Sequence, residues 1–474
     1  MTALYLLLPE LLIGGLAFLV LAADLLLPAR RAPIVGWLAA LGMLALAFFC
    51  ATWWGAAGAM GELYVLDRFA LLFKILALVM GAIVILMSLD YARRRLPGAG
   101  EYYGLIVFAA LGMALMTGAT ELLTAYIGLE LLNFSLYVLV SYSKWNPKSN
   151  EAGTKYILLG AISSAVLLYG LSLLYGLTGT TNYAGIAQAL ASGTPSPGLV
   201  AALVLILGGL GFKIAAVPFH MWAPDAYQGA PTPIAALLAV AAKAAGFGLL
   251  VRLLAEALPS TLPLIGPPLA AVAAATMVLG NTVAIRQRNL KRLLAYSSIG
   301  QVGYLLVGLA GFGAGAAEAI VFHLAGYAAT NFAAFLVVII VENRTGDEDI
   351  DDYAGLAERA PFAAFALTAA FFSLAGLPLL AGFVTKFYLF LTAAQAGLIW
   401  LVAIGVTMSV VSLYYYLMVI RQLYVVAPIK VGPLPMTATE RALLSVLVVA
   451  TIAIGVAPAP LFVIVRSAVA PLFG

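Results

Sequence analysis

The stretch Gly208–Lys243, GGLGFKIAAVPFHMWAPDAYQGAPTPIAALLAVAAK, sets an amine (Lys213) inside an apolar run, breaks at Pro218 into a Pro/Gly-rich connection, and re-enters an apolar run that carries a second amine, Lys243. A lysine at the middle of a bilayer-spanning helix costs roughly 2.5–3.5 kcal/mol on insertion scales, so an ionisable group there is a functional signal by default. Pro218 withholds a backbone donor shortly after Lys213. Membrane helices tolerate such a break only where protein or a water-lined cavity re-satisfies the freed carbonyl. A broken helix beside buried amines points to an ion path.

The rest of the chain agrees with a membrane setting. It is 64% hydrophobic with only 9% charged residues and a mean hydropathy of +1.09, far beyond what a soluble core of 474 residues requires. The single cysteine, Cys50, excludes disulfides, iron–sulfur clusters and thiolate zinc sites within one chain. With only His220 and His323 present, bis-histidine haem is also disfavoured. No metal, cofactor or nucleic-acid site is expected here. The string Gly311-Phe312-Gly313-Ala314-Gly315-Ala316 matches a dinucleotide pattern in name only, because no strand precedes it and membrane helices flank it.

Runs of spanning length predict an all-α polytopic fold of about fourteen transmembrane helices, at 1–27, 34–55, 68–90, 103–120, 122–142, 153–178, 198–220, 233–256, 265–284, 291–312, 315–342, 361–393, 396–424 and 441–467. Basic residues test that count, since short cytoplasmic loops retain Lys and Arg. With the N-terminus outside, seventeen of the 24 basic residues fall inside, among them Arg30, Arg31, Arg93 to Arg95, Lys144, Arg286, Lys291, Arg344, Lys430 and Arg441. Both termini then face the outer side. The acidic segment 342–359, ENRTGDEDIDDYAGLAER, reads as a solvated inner loop with a short amphipathic piece, or else as a docking surface.

A second interrupted run, SLAGLPLLAGFVTKF, carries Pro378 and Lys386. The two breaks fall in the seventh and twelfth runs, an odd offset, so matching units would run in opposite senses across the membrane as inverted five-helix repeats. The expected division is helices 1–3 at 1–97, a first repeat of helices 4–8 at 98–257, a second of helices 9–13 at 258–428, and helix 14 at 429–474.

The candidate relay consists of Glu130, Lys213, Lys243 and Lys386. A carboxylate beside Lys213 holds the amine charged, and moving that partner alters its proton affinity, which is what a pump needs. Lysine suits this work because burial shifts its proton affinity readily. The alternative for each lysine is a structural cation capping a helix end at a break, and for Glu130 a carboxylate bonded between helices. His323, in VFHLAGYAATNF, is a possible bridge as a neutral imidazole that donates and accepts; His220 is a weaker candidate. Lys74 reads as a snorkelling side chain, and Glu10 and Asp24 as headgroup contacts near the ends of the first helix.

On these residues the chain resembles the antiporter-like membrane subunits of proton-pumping NADH:quinone oxidoreductase (respiratory complex I), related to Mrp-type cation/proton antiporters. The resemblance rests on Glu130, GFKIAAVPFHMWAPDAYQGAPTP with Lys213, Lys243, NLKRLLAYSSIGQVGY at 289–304, and GLPLLAGFVTKF with Lys386, in the family's order and over most of the chain. Lysine rather than carboxylate at 386, and the end of the chain after the fourteenth run, favour the subunit N (subunit 2) branch. Asn289 stands where the family often has aspartate. The resemblance implies a non-redox, proton-translocating subunit in the inner membrane of a prokaryote or an equivalent energy-transducing membrane. NAD, flavin, iron–sulfur clusters and quinone would belong to partner subunits, and the partners would be sister antiporter-like subunits, peripheral subunits and the lipid bilayer. A Mrp-type sodium/proton antiporter subunit is the alternative. A purely structural scaffold fits poorly with four lysines inside the membrane.

Overall fold

The computed structural model describes residues 3–27, 32–96, 98–191, 195–346, 348–428 and 432–473. Arg30, Arg31 and Lys430 of the charge count, and Gly474, lie outside the described residues. Among the described residues, thirteen helices are long and apolar enough to span a membrane, and the twelfth run supplies a fourteenth crossing as two shorter pieces.

Numbered by run, the spans begin with α1 (Leu8–Leu26), α2 (Ala32–Thr52), α3 (Arg68–Arg95), α4 (Ala99–Gly118), α5 (Leu122–Val140) and α6 (Pro147–Thr178). Next come α7 in two pieces (Pro197–Ile214, Trp222–Gly229) and α8 in two pieces (Thr232–Ala239, Ala241–Arg252). The chain continues through α9 (Leu262–Ala284), α10 (Leu290–Ala310) and α11 (Ala314–Thr345). It closes with α12 (Pro361–Ala375, Ala381–Gln395), α13 (Ile399–Tyr424) and α14 (Ala438–Val456, Ala459–Val469). A hairpin of β1 (Gly58–Met60) and β2 (Tyr64–Leu66) joins α2 to α3.

Helices begin before their apolar runs where polar caps extend them. α6 starts at Pro147 because the Asn146 side chain accepts from the backbone of Lys148 at 3.0 Å and proline suits the first helical position. Interruptions also exceed the two expected. α8 loses regular dihedrals at Val240 (φ −112°, ψ −72°), and α14 breaks between Val456 and Ala459, at Ala457-Pro458.

Small residues bring backbones together. A Cβ on Gly280 of α9 would meet Gly300 N of α10 at 2.5 Å, and one on Gly112 of α4 would meet Leu132 N of α5 at 2.6 Å. In a bilayer, where lipid is as apolar as the helices, such close approach is a principal source of helix association. α8, α10 and α11 form the buried centre, α8 most completely.

The acidic segment is not a solvated loop. Glu342 is buried within α11, and Tyr353 and Leu356 are fully buried. Glu348 and Ile350 exchange backbone hydrogen bonds with Leu290 and Arg288. Asn289 caps α10 by accepting from Arg292 N at 3.1 Å and donates to Glu348 Oε2 at 3.2 Å, so the amide serves where an aspartate would repel. Apolar side chains spaced among the acids fix the segment against the helix ends near Arg288 and Leu290, which a count of charges does not reveal.

Candidate functional site

α7's first piece ends beside Lys213, and Ala215 adopts a left-handed conformation (φ 61°) before the cis Val217-Pro218 bond. The carbonyl of Phe212 at that end accepts from Ala215 N at 3.0 Å and from the Trp222 indole at 2.9 Å. Lys213 is therefore not spent on capping. Its Nζ donates to Asn133 Oδ1 at 2.7 Å, and Asn133 Nδ2 donates to Glu130 Oε1 at 3.1 Å. Ser164 Oγ donates to the same carboxylate oxygen at 2.6 Å. Glu130 and Lys213 are thus joined through Asn133, one turn after Glu130 on α5, rather than by direct contact. Glu130 itself is half-buried.

The stem of Lys213 runs over Gly246 of α8, where a Cβ would lie 3.4 Å from Lys213 Cγ. Gly246 is one turn beyond Lys243, so both amine-bearing stems share one short length of α8. Lys243 Nζ donates to Ser298 Oγ of α10 at 2.7 Å and lies 5.7 Å from the centre of the Tyr227 ring.

From Ser298 the edge of α10 leads to the third lysine, with Ser298, Gln301 and Tyr304 spaced every third residue. Gln301 Nε2 donates to the Leu374 carbonyl at 3.0 Å, and Lys386 Nζ donates to the same oxygen at 2.7 Å. The ammonium also lies 3.3 Å from Ser409 Oγ and 4.3 Å from the centre of the Tyr304 ring. At 1.5 Å rise per residue, Ser298 beside one amine and Tyr304 beside the other lie about 9 Å apart along α10. The Leu374 carbonyl is free because α12's first piece ends at Ala375, with Gly376 (φ 88°) and Leu379 (φ 70°) left-handed after it. For Lys386 the helix-capping alternative is therefore met, and a cation is favoured at that C-terminus.

His323 Nδ1 lies 2.9 Å from Thr385 Oγ1, beside Lys386 in sequence, while its Nε2 has no partner. Tyr327 Oη and both amide atoms of Asn331, at one and two turns further along α11, are likewise buried without partners. His323 thus borders the Lys386 end rather than standing between two lysines. His220 sits half-buried in the α7 connection, and among the described residues no hydrogen bond links it to the three amines. Among the same residues no carboxylate lies within ion-pair distance of Lys213, Lys243 or Lys386. Each ammonium is held by neutral acceptors, so neighbouring charges can decide its state.

A polar cavity of about 560 Å³ lies over the α7–α8 connection, lined by Gln228, Ala230, Lys291 and Glu342 among others. A second cavity of about 310 Å³ at the α12 break reaches Lys386 between Phe383, Phe387, Phe390 and Val410. Its walls are apolar, so the break does not supply a polar outlet.

The sequence reading passed over Asn133, Ser298, Gln301, Tyr304 and Ser409 because neutral polar residues are cheap in helices and attract little notice. The spacing Ser298-x-x-Gln301-x-x-Tyr304, one face of a helix, was the available signal. It also misread a second charge system. Lys74 does not snorkel and Glu10 does not reach headgroups; both are buried, with Nζ and Oε1 2.6 Å apart, and Tyr64 donates to the same carboxylate. Pairing removes most of the penalty that otherwise drives a lone lysine outward.

Interrupted helices with buried lysines, joined by a polar edge across a fourteen-span bundle, define a membrane subunit of the antiporter-like class. Residues 119–412 match the family described as NADH:quinone oxidoreductase/Mrp antiporter, TM, and the chain belongs to that family. It is 43% identical to NADH-quinone oxidoreductase subunit N of Desulforamulus reducens over 95% of this chain and 94% of the relative. Among solved structures, a chain of respiratory complex I from Thermus thermophilus with bound aureothin superposes with a TM-score of 0.81 at 32% identity, covering 96% of this chain and 98% of that one. A chain of the Mrp complex from Dietzia sp. DQ12-45-1b gives 0.85 at 23% identity, covering 100% and 98%, a likeness of fold alone.

Proposed function

We propose that the chain is the proton-translocating subunit N of a multisubunit NADH:quinone oxidoreductase, with redox chemistry and its NAD, flavin, iron–sulfur and quinone groups in partner subunits. What supports this reading is a series of hydrogen-bonded groups, Glu130–Asn133–Lys213, Lys243–Ser298, and Gln301 with Lys386 on one carbonyl, set in order by Gly246 on α8 and by the Ser298–Gln301 face of α10. Protons enter from the polar cavity over the α7–α8 connection, and Lys386 with His323 forms the far end. Repulsion between ammonium groups makes arrival at one lysine favour departure from the next. Matched breaks with left-handed Ala215 and Leu379 support the inverted units 98–257 and 258–428, with the termini on the outer side.

The test is Lys243→Met in the assembled complex. NADH-driven acidification of inverted vesicles, normalised to electron transfer, falls severalfold if Lys243 carries protons. Wild-type coupling in that variant refutes the relay. A Mrp-type sodium/proton antiporter subunit is the second reading, favoured by the shared family description and by fold; transport driven by a sodium gradient without NADH would select it.

A further inference from the structure

α3 lies outside both proposed repeats, yet it touches the helix of Lys243 at each end. At its start, Asp67 caps the helix by accepting from Ala70 N at 2.7 Å and receives two hydrogen bonds of 2.8 Å from Nη2 of Arg252, the last residue of α8. Arg252 is wholly buried. Its remaining donors reach Thr117 O of α4 at 2.8 Å and Glu256 Oε1 at 2.6 Å, and its guanidinium lies 5.1 Å from the Phe69 ring centre. Every face of that charge is occupied, a geometry arginine's rigid fork favours.

At the other end, Tyr91 and Arg95 of α3 approach Glu342 Oε1 of α11 at 3.2 and 3.4 Å. The second oxygen of Glu342 accepts from Oγ1 of Thr232, the first residue of α8, where a carboxylate also suits a helix N-terminus. Between these two junctions α8 is irregular at Val240, just before Lys243, and a π-helical turn at Leu253–Ala257 follows directly on Arg252. α3 by contrast is one continuous helix of 28 residues without proline, about 42 Å long, and Lys74 pairs it to Glu10 of α1.

We propose that α3 is a strut that sets the position of Lys243. Asp67–Arg252 fixes one end of the irregular α8, and Tyr91/Arg95–Glu342–Thr232 fixes the other. Asp67, Arg252, Tyr91, Glu342 and Thr232 are positioning residues: they hold Lys243 within hydrogen-bond reach of Ser298 and beside the stem of Lys213, and carry no proton themselves. The inference rests on the relay through Lys243. Because α8 departs from regular helix at Val240, just before Lys243, loosening either junction lets the amine shift relative to both neighbours, and a misplacement of about 1 Å is enough to cost a transfer step much of its rate.

The experiment uses the whole complex in native membranes and reads protons moved per NADH oxidised, its pH profile, and complex content. Asp67→Asn is expected to lower the proton ratio at least threefold and displace the pH profile, with Asp67→Glu recovering more than half. Tyr91→Phe combined with Thr232→Val, which removes no charge, is expected to act in the same direction. Wild-type ratio and pH profile in assembled Asp67→Asn, or in the assembled double variant, overturn the strut. So does reduced complex content with an unchanged ratio, or failure of both sets to assemble, since either marks a merely structural role. Lys243→Met separates the levels. If that variant pumps normally the relay itself falls; if it is inactive while the junction variants pump normally, only the strut falls.

Discussion

Asn133 is hydrogen-bonded to both Glu130 and Lys213, and Asn133→Leu removes that link with a residue of similar shape. The protonated Lys213 then loses its 2.7 Å acceptor, and Glu130 loses one of two donors. A hydrogen bond to a buried charged group is worth about 1.5–3 kcal/mol, between about tenfold and a hundredfold in the equilibrium for placing a proton on the amine. Packing should change little, because Asn133 is buried among apolar neighbours on α5. The expected outcome is normal assembly with NADH-driven proton uptake reduced about tenfold or more per electron. Asn133→Asp, by giving the ammonium a carboxylate of its own, should hold the proton and slow transfer as well. The assay is dye-reported acidification in inverted vesicles, normalised to NADH oxidation with an artificial acceptor. If Asn133→Leu assembles and pumps at the wild-type ratio across the physiological pH range, the bridge has no part in transfer.

Further outcomes follow from the same contacts. Lys386→Arg should keep the Leu374 carbonyl capped but block proton release, since guanidinium does not deprotonate, whereas Lys386→Met should lose both; wild-type pumping by the arginine variant would remove Lys386 from the relay. Glu10→Gln leaves Lys74 buried without its partner and should destabilise the chain by about 3–5 kcal/mol, read as lower complex content and melting temperature; an unchanged melting temperature would show the pair to be idle. A cysteine at exposed Asp349 should be labelled from the inner side only and one at exposed Phe473 from the outer side only, with Cys50 buried and silent; labelling of both from one face would sink the fourteen-span topology.

Much of the site was legible because burying charge in lipid is expensive: Lys213, Lys243 and Lys386 stand out from apolar runs, and Pro218 and Pro378 mark the breaks beside two of them. The partners were less legible. Lys74 looked like a side chain near a helix end because its depth could be read and Glu10's approach from another helix could not. Arg252 is wholly buried for the same kind of reason, its partners Asp67 and Glu256 being visible only in the folded chain. Ser298 and Gln301 carry no charge, and nothing in their composition separates them from the other polar residues of membrane helices.

The sequence by itself determined that the chain spans a membrane about fourteen times, where two helices break, and which amines are committed to its interior, because hydropathy, proline chemistry and ion solvation act locally along the chain. Only the tertiary structure decided that Asn133 stands between Glu130 and Lys213, that Lys386 rests on a carbonyl freed by its own helix, and that α8 meets Asp67 at one end and Glu342 of α11 at the other. Hydrogen bonds reach only about 3 Å, and which groups come that close depends on how the helices are rotated and spaced, set here by glycines such as Gly246 and Gly280 that let one stem or backbone lie directly against another.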